Sequence, residues 1–207
     1  MTSNERHRVF VSYHHARDQG YREALRDLNR RYEIFLDWSV DTGDIDETLD
    51  DQSIRRKIRD EYLQDSSVTI VLVGLETSRR KHIDWEIYSS MYDGAVNKQS
   101  GILAINLPST GTTDCWAAHG EAEKRSVYPE METWYGVPAR ADLERIHPYL
   151  PERIIDNILT GRSRISVVPW GKIANSPSIL GLLIDVTCED RALNEYDLSR
   201  PMRRSNS

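Results

Sequence analysis

The stretch Ser67-Val-Thr-Ile-Val-Leu-Val-Gly-Leu-Glu-Thr-Ser-Arg-Arg-Lys-His-Ile-Asp-Trp-Glu-Ile87 decides the fold of this chain. Residues 67–73 are a continuous β-branched, apolar run, the pattern of a central strand covered on both faces of a parallel sheet. Gly74 closes the run, a polar and basic loop follows, and a helix is predicted over 82–92 with Gly94 as its C-cap. On that helix Ile83, Ile87, Ser90 and Met91 share a face, and Glu86 falls about 60° round from Ile83, at the edge of it. A carboxylate between Trp85 and Ile87 has two readings. It is a boundary residue, solvated or paired with Arg79, Arg80 or Lys81, or it is the charged group of a site.

Working outward, Arg8-Val-Phe-Val-Ser-Tyr13 reads as a first strand, followed by a helix over 18–31 with Tyr21, Leu25 and Leu28 at helical spacing. A second strand is expected over 32–36, ending in Asp37-Trp38, then an acidic loop to Asp50 and a helix over 51–64 carrying Ile54, Ile58 and Tyr62. A fourth strand, 102–107, stops at Pro108. Region 109–150, with Trp116, Trp134 and Tyr135, shows little periodicity and reads as a long decorated connection. A short helix over 151–159, a fifth strand over 165–168 and a helix from Ser176-Pro177 to 191 complete the pattern. The expected organisation is a tail over 1–7, one domain over 8–191, and a polar, loose tail within 192–207.

Five alternations of strand and helix predict a doubly wound α/β fold with a five-stranded parallel sheet and right-handed crossovers. Ligands of such sheets bind beyond the carboxyl ends of the strands. That rule selects Ser12-Tyr13-His14-His15, Asp37-Trp38, residues 74–78 and Asn106-Leu107. Glu86 sits on the helix that leaves the same rim.

Composition narrows the chemistry. With 207 residues, 39% hydrophobic and 29% charged, the chain is long enough for a real core and too apolar for disorder. A net charge of −6 gives no basic footprint, so no nucleic acid is expected as a partner. Cys115 and Cys188 are the only cysteines, too few for a disulfide framework, and no apolar run approaches the roughly 20 residues of a membrane span. A cytoplasmic protein without membrane contact is the expectation. No G-x-x-x-x-G-K-[ST] run occurs, since Ser166 stands where the first glycine ahead of Gly171-Lys172 belongs, and no G-x-G-x-x-G follows the first strand. A receiver domain would need acidic residues where His14-His15 stand and an aspartate in place of Gly74. The acidic loop lacks the fixed glycine and terminal glutamate of a calcium loop, and Cys115 and His119, four apart, lack further ligands, so no metal is expected. Neither a G-x-S-x-G elbow nor a cysteine at a strand end is present.

Three elements together resemble the TIR-like family of the Thoeris antiphage protein ThsB: the first strand Arg8–Tyr13, the quoted strand-loop-helix, and Gly101-Ile-Leu-Ala-Ile-Asn106. One departure is His82, where the family often has Trp. The resemblance implies a flavodoxin-like TIR fold and cleavage of the nicotinamide–ribose bond of NAD⁺, a substrate rather than a cofactor, with cyclisation of the ADP-ribose product. It makes Glu86 the catalytic carboxylate, with Ser12, Tyr13, Asp37, Trp38, Thr77 and Arg79 as substrate-binding residues. It also implies self-association of protomers, an infection-derived trigger, and a separate effector protein that reads the product. Two rival readings remain at this level: a TIR-like interaction module without catalysis, and a nucleoside deoxyribosyltransferase-like enzyme.

Overall fold

The computed structural model describes residues 6–39, 49–95, 97–134, 136 and 139–206. The start of the first tail, most of the acidic loop (40–48), Tyr135 and the side chain of Tyr62 lie outside the described residues. In chain order the elements are β1 (Arg8–Ser12), α1 (His15–Tyr32), β2 (Leu36–Asp37), α2 (Asp51–Lys57), β3 (Val68–Val73), α3 (Lys81–Met91), β4 (Gly101–Asn106), α4 (Glu121–Val127), α5 (Arg140–Ile146), α6 (Glu152–Thr160), β5 (Ser166–Pro169), α7 (Trp170–Ala174) and α8 (Pro177–Asp190). The five strands are all parallel and lie in the order β2-β1-β3-β4-β5, the flavodoxin-like arrangement. Strand order reverses between β1 and β3, which makes their carboxyl ends the switch point of the sheet.

β3 is buried along its whole length, and its period of two divides it between two cores. Ile70 and Leu72 join Val9, Val11, Leu25 and Leu180 on one face. Val71 and Val73 join Ile83, Ile87, Ile154 and Ile158 on the other. A third cluster, Phe10, Ile54, Ile58, Leu63, Trp85 and Met202, closes the end of that second face. Gly101 at the start of β4 is required by close packing: a Cβ there would lie 2.3 Å from the carbonyl oxygen of Thr187 on α8.

Several boundaries differ from the sequence expectation for identifiable reasons. β2 is two residues long rather than spanning 32–36, because α1 runs on through Tyr32 and Glu33 turns the chain with φ 51°. The Asn29 amide then accepts from Phe35 N–H at 2.9 Å and donates to Phe35 C=O at 3.1 Å, taking both groups a ladder would have used. The expected helix over 51–64 is α2, capped by Asp50 on Gln52 and Ser53 N–H, running into a π-helical turn at Ile58–Tyr62. Gly94 is not a C-cap: α3 ends on extended Tyr92, and Gly94 N–H bonds Asn97 C=O at 3.0 Å.

Region 109–150 contains α4 and α5, each seven residues and too short to show a period in sequence. It is tied to β5 by an antiparallel bridge in which Trp116 and Val167 exchange backbone hydrogen bonds of 2.9 and 2.8 Å. Cys115 precedes this bridge outside any helix, and the His119 ring is engaged with Asp190 at 2.7 Å and Thr187 at 3.3 Å. The last residues are not loose: Met202 is 3% exposed and the segment 197–206 lies along α6 and α3. Among the described residues no helix is long and apolar enough to cross a membrane.

Candidate active site

β1 delivers Ser12 to the switch point, and α3 delivers Glu86 to the same place. The Ser12 hydroxyl donates to Glu86 Oε2 at 2.6 Å, with Ser12 1% and Glu86 5% exposed. The packing of α3 explains the carboxylate beside a tryptophan. Trp85 drops into the cluster of Phe10, Ile54, Ile58 and Met202, while Ile83, Ile87 and Met91 face β3 and β4. Glu86, between those two apolar sectors, meets the end of β1. A solvated boundary position is therefore ruled out. Burying a carboxylate is costly unless hydrogen bonds hold it, and a hydroxyl donor to an anion is among the stronger ones. His82 packs its ring edge-on against Trp85, with centroids 5.0 Å apart.

The other sequence-selected residues fall into three groups. Tyr13 follows Ser12 directly; its ring stacks on His15 at 4.3 Å and its hydroxyl donates to Gln19 at 2.7 Å. Asp37 and Trp38 end β2 at the edge of the sheet. Asp37 pairs with Arg22 at 2.6 Å, and Trp38, 40% exposed, carries the Arg8 guanidinium over its ring at 4.7 Å. Thr77 and Arg79 lie on the loop after β3. Thr77 is buried and its hydroxyl accepts from Gly74 N–H at 2.8 Å and donates to Leu72 C=O at 3.2 Å, so its bonds hold the loop rather than face a ligand. Arg79 is exposed, and it is its neighbour Arg80 that pairs with Glu76 at 2.5 Å.

Sequence reasoning missed Asp18. It sits in the first turn of α1, 3% exposed, against the backbone of Gly74 at the end of β3. A Cβ on Gly74 would lie 2.4 and 2.5 Å from the two Asp18 oxygens, so glycine is what admits the carboxyl here. Oδ2 of Asp18 has no hydrogen-bond partner among the described residues, and burial pushes the carboxyl pKa up from its ordinary value, against the pull of Arg17. His14, at the N-cap of α1, has its imidazole pushed down by burial and by Arg80. The available signal was spacing: His14, Asp18 and Arg22 are four apart and lie on one helical face.

At the end of β4, Asn106 Nδ2 lies 3.1 Å from Nδ1 of His147, which is 2% exposed and pushed down to about 4 by burial. The unfolded chain takes up a proton at this histidine near pH 6.5, and the folded chain resists until about pH 4. Stability therefore rises with pH across that window and falls as acid is added through it, by about 3 kcal/mol in total. Denaturant melts between pH 7 and pH 4 are expected to lose this component in His147→Gln, whose amide does not titrate.

A comparison with curated proteins finds no match. Residues 10–112 match the family described as Thoeris protein ThsB, TIR-like domain, a segment that runs from within β1 past the end of β4 and includes Ser12, Asp18, Gly74 and Glu86. Sheet order and family segment agree on one assignment: through residues 10–112, the chain belongs to the TIR-like domain family of the Thoeris protein ThsB.

Proposed function

We propose that this protein cleaves the nicotinamide–ribose bond of NAD⁺ and closes the ADP-ribose portion into a cyclic signalling nucleotide for Thoeris antiphage defence. The observation that carries this reading is the buried Glu86–Ser12 pair at the switch point of the sheet. As the C1′–N bond breaks, nicotinamide leaves with the bonding electrons and positive charge builds on the ribose. A fixed anion in a dry setting stabilises that charge more than water does. Glu86 is the anion, and Ser12 holds its carboxylate in one orientation. A nucleophilic atom of the adenosine end then bonds to C1′ and gives up its proton, or water does so in simple hydrolysis. No redox change and no cofactor enter the balance.

Tyr13, next to the pair, borders the ribose and nicotinamide. Asp37 and Trp38 flank the neighbouring strand end, where Trp38 offers an exposed ring for stacking. Arg79 is an exposed cation for the pyrophosphate. Self-association of protomers, an infection-derived trigger and an effector that reads the product belong to the same reading.

The test is mass spectrometry of products after incubating concentrated protein with NAD⁺, with nucleosides as a parallel substrate. Free nicotinamide with a cyclic form of ADP-ribose, lighter than ADP-ribose by one water, is the expected result. Base exchange on nucleosides without NAD⁺ turnover assigns a deoxyribosyltransferase-like activity instead. Silence on both substrates, in vitro and in phage-challenged cells, leaves the interaction module.

A further inference from the structure

Helix α3 begins without a cap of its own. Arg80, at its N-cap position, makes no side-chain capping bond, and four N–H groups at a helix start have no partner within the helix. The missing acceptor comes from the far end of the chain: Oδ1 of Asn206 accepts from Lys81 N–H at 2.9 Å. Three further attachments accompany it. Arg203 N–H donates to Asp84 Oδ2 at 2.8 Å, and Trp85 Nε1 donates to Arg203 C=O at 2.8 Å, so one residue grips two side chains of α3's first turns. Met202 is buried with Trp85, Phe10, Ile54, Ile58 and Leu63. Behind it Arg153 of α6 donates to the carbonyls of Arg200 and Pro201 at 2.9 and 3.1 Å while pairing with Asp84.

We propose that residues 197–206 form a strap that fixes the first turns of α3 and thereby places Glu86 against Ser12, with Asn206 as a cap supplied in trans to the helix and Met202 as the apolar anchor. Asn206, Met202 and Arg203 are positioning residues: they touch Lys81, Trp85 and Asp84, and through them set where Glu86 points. The strap is suited to release as a unit. Its apolar holds are two, Met202, which is buried, and Leu198, half-buried against the core under α3 and α6; its other holds are hydrogen bonds and ion pairs, including Arg204 to Leu49 C=O at 2.9 Å and to Asp51. Segments with few buried apolar contacts open locally before the rest of a domain does. A cleft of about 210 Å³ lined by Thr77, Ser78, Arg80, Arg200 and Arg203 separates the strap from the loop after β3, so strap and loop share a boundary.

The link to Glu86 rests on the proposed function; the docking of the strap does not, and the experiment separates them. Amide hydrogen exchange of residues 81–85 is measured in the full chain beside turnover of NAD⁺. Met202→Ala is expected to speed exchange there about thirty-fold or more, from the loss of a buried methionine, and Asn206→Ala about five-fold, from the loss of a cap. Met202→Leu and Asn206→Asp, which keep the apolar anchor and the acceptor, restore protection. Turnover falls in Met202→Ala through kcat, with KM little changed, and returns in Met202→Leu. Unchanged protection of 81–85 in both alanine variants overturns the strap. Faster exchange with undiminished kcat overturns its hold on Glu86. Wild-type protein inert toward NAD⁺ counts against the enzyme reading alone, because the exchange contrast still decides the strap.

Discussion

Glu86→Gln is expected to lower nicotinamide release from NAD⁺ by about 10³-fold while leaving the thermal midpoint at or slightly above the wild-type value. The amide is isosteric and its carbonyl oxygen still accepts from the Ser12 hydroxyl, which now donates to Glu86 Oε2 at 2.6 Å, so the packing of α3 is preserved. What disappears is the charge. A positioned group that stabilises transition-state charge in a water-excluded site is worth about 10²–10³ in rate, and a full anion facing an oxocarbenium ion belongs at the upper end. Removing a buried charge also removes its desolvation cost, hence the unchanged or raised midpoint. Ser12→Ala makes a second comparison. It keeps the anion and frees its orientation, so its loss should be smaller, about tenfold to a hundredfold. Chromatographic nicotinamide release, with a thermal melt of each variant, checks the ordering. Wild-type rates in Glu86→Gln would remove the carboxylate from the chemistry.

That ordering depends on a feature only half visible in the sequence. The continuous run 67–73 and its loop-helix sequel were enough to fix β3, α3 and the rim from which ligands are reached, because an unbroken β-branched run has few other homes than the centre of a parallel sheet. Helical spacing put Glu86 at the edge of an apolar face, but it could not say what stood opposite. The partner, Ser12, is 74 residues away and is set by the β1–β3 register, Ser12 against Val71. Asp18 escaped for a related reason: its site exists only because Gly74 lacks a Cβ, a steric fact that depends on two elements meeting. β2 was misplaced because Asn29 satisfies Phe35 by side chain, which hydrophobic pattern alone does not encode. The segment 197–206 looked loose since Leu198 and Met202, four apart in an otherwise polar stretch, carry no period; its order comes from their packing and from long-range hydrogen bonds.

The largest stability effect is expected at Asp84. The Arg153 side chain is 0% exposed and approaches Asp84 with Nε to Oδ1 at 2.9 Å and Nη2 to Oδ2 at 3.0 Å, a two-bond fork across α6 and α3. The Tyr88 ring lies 4.9 Å from the same guanidinium. Pairing a buried arginine with a carboxylate contributes little net stability compared with an apolar pair, because both charges lose their water. Breaking such a pair is different: Asp84→Ala strands a buried cation and takes away the acceptor of Arg203 N–H. The expected cost is about 3–5 kcal/mol, a fall of roughly 10 °C in thermal midpoint for a domain of this size. Adding Arg153→Met to Asp84→Ala should recover a large part of that loss, since the stranded charge is then gone, although the carbonyls of Arg200 and Pro201 lose their donor. Recovery in the double variant identifies the uncompensated charge as the source of the damage. A midpoint for Asp84→Ala within a degree of wild type would mean that water reaches Arg153 readily. The ion pair would then be no constraint on how α3, and the carboxylate it carries, sits against the sheet.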